Sequence, residues 1–119
     1  MSLPEPMKSE QLRVIVDREG DGFIARCVDF DIEGVGRSAD AALEAFVKAW
    51  IRHVLVAHEL GRRPFADIRR EEGELAERWK QIEVTAAART FRIPAFQIVP
   101  KESALPASHS WEGRALIAA

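Results

Sequence analysis

Apolar and polar residues alternate from Leu12 onward. In LRVIVD, Leu12, Val14 and Val16 fall on one side and Arg13, Ile15 and Asp17 on the other, the period of a β-strand. REGDG, residues 18–22, interrupts the pattern with two glycines and an Asp-Gly pair, which predicts a hairpin. The return run FIARCVDF places Phe23, Ala25, Cys27 and Asp29 opposite Ile24, Arg26, Val28 and Phe30. A third short strand is expected from about Ile32 to Gly36.

The period then changes. Ser38 is placed to cap a helix by accepting from a free backbone N–H of the first turn, and Asp40 stands where the helix dipole favours negative charge. No proline or glycine interrupts the chain until Gly61, a natural C-terminal stop. Leu43, Phe46, Val47, Trp50, Val54 and Ala57 recur at helical spacing and form a core-facing stripe. Beyond the connector GRRPF, the charged run DIRREEGELAERWK predicts a short helix over Glu74 to Lys80. IEVTAAA and TFRIPAFQIV predict two further strands, with Pro94 marking an edge or an interruption because proline cannot donate to a sheet ladder.

The chain is 119 residues long, which fits one domain. The expected division is a flexible leader at 1–10, a single α+β domain at 11–100, and a C-terminal tail at 101–119. That tail is rich in proline, serine and alanine but carries Trp111, so it is expected to dock on its own domain or on a second subunit. A net charge of −2 argues against nucleic-acid binding by bulk positive charge. The single cysteine, Cys27, excludes an internal disulfide framework. No apolar run is long enough to span a bilayer, and the opening MSLPEPMKSEQ has no apolar signal core. A cytoplasmic location with no membrane partner is therefore expected.

DFDIEG, residues 29–34, has the letters of a calcium loop. Asp29, Asp31, Glu33 and Gly34 fit positions one, three, five and six, and Asp40 would stand at position twelve. The preceding segment reads as a strand, however, where the motif requires a helix. The alternative is a strand with acids on its wet face, running into a turn. Asp17, Asp29 or Asp31, and Glu44 would serve two-metal phosphodiester cleavage only if they converged. His53 and His58 are five apart, about 140° around the helix axis, and do not share a face. No cofactor and no catalytic site is expected.

The order of strand, acidic-glycine turn, aromatic-led strand, short acidic stretch, Gly36, Ser38 and a helix opening with Ala42 and Leu43 resembles the HicB-like family. The resemblance covers about Leu12 to Val56, with a possible extension to Ile82–Ala86. The family's usual glutamate is Ala41 here, and the prolines of its middle loop are absent from VDFDIEG. The resemblance implies an antiparallel β-β-β-α-β domain, one long helix on a small sheet, here with a β-containing C-terminal extension. It also implies a non-catalytic antitoxin-type module that neutralises a small basic HicA-like toxin. Such proteins usually bind DNA through a C-terminal helix-turn-helix or ribbon-helix-helix segment. Neither pattern occurs after Gly61, so DNA binding is not carried over.

Self-association as a homodimer or higher oligomer is expected, with Phe91, Phe96, Trp111, Arg62 and Arg63 as interface candidates. The alternative function is a stand-alone regulator of the same fold associated with nucleic acid. A third reading, a metal-dependent nuclease, rests on the carboxylates alone.

Overall fold

The computed structural model describes residues 11–70, 73–93 and 111–118. Strands β1 (Leu12–Glu19) and β2 (Gly22–Cys27) form an antiparallel hairpin in which Glu19 pairs with Gly22. The two-residue turn uses Gly20 at φ +58°, where a side chain would be strained. Strand β3 (Glu33–Gly36) pairs antiparallel with β2. Helix α1 (Ala39–Glu59) follows, and the Ser38 side chain accepts from Ala41 N at 3.0 Å. Helix α2 (Glu74–Ile82), β4 (Ala87–Ile93) and β5 (Trp111–Ile117) complete the element order. The architecture is α+β: one five-stranded sheet in the order β3-β2-β1-β5-β4, with β1 and β5 parallel and every other pair antiparallel.

The expected β1, β2, β3 and α1 are all present. The C-terminal half differs from expectation in two respects. First, β5 lies between β1 and β4, so the segment expected to be a tail supplies an interior strand of the sheet. The expected boundary at residue 100 therefore cuts through the sheet. Second, the segment expected to give a strand over IEVTAAA instead completes α2 and a turn. Ile82 ends the helix, Val84 is 84% exposed, and Thr85 N and Ala86 N both donate to Ile82 O. The alternation of Ile82 and Val84 is overridden because Ile82 packs with α2 against a second apolar cluster. The short helix expected over Glu74 to Lys80 is present as α2, and it covers the sheet face opposite α1.

α1 lies across β3, β2 and β1 and buries Phe46, Trp50 and Val54 against Val14, Val16, Ala25 and Cys27. Burying a side chain such as Phe46 contributes roughly 3 kcal/mol. Two glycines allow this close approach. A Cβ on Gly34 would stand 2.2 Å from Phe46 N, and one on Gly36 would stand 2.5 Å from Ala42 N. The opposite face carries Ile15, Val28 and Leu116, covered by Trp79 of α2. Two cations stand near the Trp79 ring, the guanidinium carbons of Arg13 and Arg114 each 5.9 Å from its centroid. Arg78 grips Asp17 through both guanidinium nitrogens. The second helix is thus held by Trp79 and the bidentate ion pair, with Leu75, Ala76 and Ile82 packed against the same apolar cluster.

Candidate functional site

The acidic run after β2 is built as a braced turn. Asp31 N donates to Ile68 O at 2.7 Å and Arg70 N donates to Asp29 O at 2.8 Å, so residues 29–31 lie antiparallel to residues 68–70. Arg70 also donates through Nε to Cys27 O at 3.0 Å. Asp29 takes Arg13, with Nη2 2.7 Å from Oδ1. Asp31 and Glu33 are held more loosely by Arg70, at 3.4 and 3.9 Å, and Arg26 stands 4.0 Å from Glu33. The DFDIEG stretch is therefore a strand end and turn in which Asp29 accepts from Arg13, while Asp31 and Glu33 form only long ion pairs with arginines. Ion pairs this long leave Asp31 and Glu33 with carboxylate oxygens able to accept further donors.

An open cleft of about 380 Å³ lies beside this turn, lined by Arg26, Glu33, Arg70, Glu74 and Leu75. Two cations and two carboxylates balance its charge. Next to it runs β3, at one edge of the sheet. Gly34 and Gly36 face α1, while Glu33 and Val35 face the other way, and Val35 is 67% exposed. An edge strand presents backbone N–H and C=O groups to any chain that adds beside it.

The carboxylates considered for phosphodiester cleavage do not converge. Asp17 is engaged by Arg78 and Asp29 by Arg13, both on the α2 side of the sheet. Glu44 lies on the outer surface of α1, beside Lys48, on the opposite side. Among the described residues no group of three or more His, Cys, Asp and Glu side chains is placed to hold a metal ion. Cys27 is fully buried in the α1 core, and that burial pushes its thiol up to about 11. His53 accepts from Phe65 N through Nε2 at 2.8 Å, and His109 lies outside the described residues.

The interface candidates separate into three groups. Trp111 is buried against Trp50 and Phe65, with ring centroids 5.7 and 6.4 Å away. Phe91 packs edge-on to Phe46 at 6.0 Å and closes over Gly113. Both pack within this chain through their side-chain contacts with the α1 aromatics; for Trp111 this is the expected docking on its own domain, and Phe91 is only partly buried. Phe96 lies outside the described residues. Arg62 and Arg63 are exposed, just past the end of α1. Sequence reasoning missed Val35 as a candidate. Its signal was available, since it is the one large apolar residue in EGVG and lies opposite two glycines on the pleat.

Among the described residues no helix is long and apolar enough to cross a membrane. No protein-family model, curated protein or solved structure matches the chain.

Proposed function

We propose that this chain is a non-catalytic interaction module of HicB-like type, an antitoxin-type protein that binds and neutralises a small basic protein. The observation that carries the reading is the β3 edge: an exposed Val35 in an edge strand, beside the loosely paired carboxylates of Asp31 and Glu33. A partner strand added there would gain main-chain hydrogen bonds from β3 and an apolar contact from Val35. Its lysines or arginines would find carboxylate oxygens within reach, and charge complementarity of this kind selects the partner and speeds encounter. The residues behind the HicB resemblance support the same surface. Gly36, Ser38 and Ala42 lie at the junction where β3 runs into the capped first turn of α1.

The test is a neutralisation assay. Each gene flanking the native locus is expressed from an inducible promoter, with and without this chain. The expected result is that one flanking product arrests growth, that this chain restores growth, and that Val35→Lys fails to restore it while remaining folded. Growth arrest that neither form relieves, or no arrest from either neighbour, would remove the antitoxin reading.

A further inference from the structure

The end of α1 distant from β3 carries a second surface of opposite character. Ten residues of helix, about 15 Å at the α-helical rise, separate Phe46, which packs on Gly34, from Val56. Arg52, Val56 and Leu60 follow one another at four-residue spacing, so they form a single row along the outside of the helix. Val56 is 49% exposed and Leu60 58%, and Leu55 on the adjacent row is 42% exposed. These are three of the five large apolar residues that the fold leaves exposed among the described residues, and they fall within six positions.

The chain then turns back on itself. Gly61 adopts φ +67°. Gly61 N donates to His58 O at 3.0 Å and Arg62 N to Ala57 O at 2.7 Å, the two-bond closure typical of a glycine-terminated helix. This closure fixes the backbone of Arg62 against the last turn, next to Leu60, and Arg63 follows directly.

Residues 52–63 hold three arginines and one glutamate, Glu59, in a chain whose net charge is −2. Six of the other arginines, Arg13, Arg26, Arg70, Arg78, Arg89 and Arg114, have carboxylate partners. Arg52, Arg62 and Arg63 have none among the described residues. A helix C-terminus favours nearby cations, which accounts for Arg62 and Arg63. It accounts neither for Arg52, two turns earlier, nor for the aliphatic side chains between.

The geometry points to a docking surface for an acidic amphipathic segment of another protein, its aliphatic side chains seated on Leu55, Val56 and Leu60 and its carboxylates on Arg52, Arg62 and Arg63. An apolar centre with a polar rim is the usual anatomy of a protein-binding patch, and arginine is enriched there; the unpaired guanidinium groups set the sign of the partner. Single-stranded nucleic acid is bound by stacking on exposed aromatic side chains, and the exposed apolar residues of this patch are all aliphatic. A bilayer surface is bound by a helix with one broad apolar face turned to the lipid. The broad apolar face of α1, by contrast, is buried in its own core.

The surface is separate from the β3 edge, so its test stands apart from the antitoxin reading. Fluorescence anisotropy would follow a labelled sixteen-residue peptide of alternating glutamate and leucine turns. Its lysine-for-glutamate counterpart, a sixteen-nucleotide RNA and phosphatidylglycerol vesicles would serve as competing probes. The expected result is micromolar binding of the acidic peptide alone, weakened at least tenfold in Leu60→Ser and in Arg62→Glu with Arg63→Glu, and unchanged in Val35→Lys. Circular dichroism would check that each variant is folded. Absence of binding, or equal binding by folded variants, would overturn the proposal. Preferential binding of RNA or of vesicles, lost in the same variants, would overturn the assignment to a protein partner.

Discussion

His53 accepts a hydrogen bond from the backbone of Phe65, one of the contacts that hold the connector after α1 in place. Phe65 sits at φ +68°, a left-handed conformation uncommon for a bulky residue. It stacks on Trp50 with ring centroids 4.3 Å apart and lies tilted against His53 at 4.8 Å. An imidazolium has no lone pair to accept from Phe65 N, and burial lowers the pKa of His53 against a smaller opposing effect of Asp67. The fold therefore favours the neutral ring, and the unfolded chain binds the proton more readily. Stability from this contact is fully present above the unfolded value of about 6.5 and is lost as pH falls through the depressed folded value. The urea midpoint of the protein should fall between pH 7.5 and 5 more steeply than that of His53→Gln, whose amide still offers an acceptor but does not titrate. Parallel pH profiles would show that His53 does not carry this dependence.

At the scale of elements, α2 depends on few contacts. It has nine residues and its N-cap, Gly73, makes no side-chain cap, so on its own it would not be a stable helix. Trp79, together with the Arg78–Asp17 pair, ties it to the sheet. Trp79→Ala should cost about 3–4 kcal/mol and release the helix while α1 stays packed on its own face. Hydrogen exchange would show protection lost over 74–82 and kept over 42–57; uniform loss would mean that the two faces are one cooperative unit.

These elements also show where the sequence was legible. The hairpin, the capped start of α1 and its glycine stop are local signals, set by turn and cap chemistry within a few residues. Val84 misled because a β-branched residue in a turn has the same alternation as one in a strand. Phe91 was read as a partner contact, and Trp111 as docking on its own domain or a second subunit, because nothing local reveals that Phe91 closes over Gly113 and that Trp111 packs on Trp50. Arg62 and Arg63 were legible as exposed because they directly follow a helix stop.

At the scale of the molecule, the pairing of β1 with β5 joins residues about a hundred positions apart: Leu12 faces Gly113 and Val16 faces Ile117. No local pattern specifies such a parallel contact, which is why the last strand was expected to be a tail. The same separation makes it costly in loop-closure entropy and slow to form. Cutting the chain after Pro100 removes β5, exposes Ile15 and Val16 and leaves β4 without its neighbour. Thermal unfolding followed by circular dichroism should then lose its cooperative transition. A truncated chain that still unfolds cooperatively would mean that β5 is an addition to a self-sufficient core.

The central claim is that the β3 edge takes a small basic protein. The most direct measurement is purification of the tagged chain from its native locus with both neighbouring genes intact, read by mass spectrometry and light scattering, alongside the Val35→Lys form. The account predicts a small basic protein present in fixed stoichiometry with the native chain and absent from the variant. Recovery of the native chain as a homo-oligomer with nothing attached, or of the same basic protein with both forms, would contradict it.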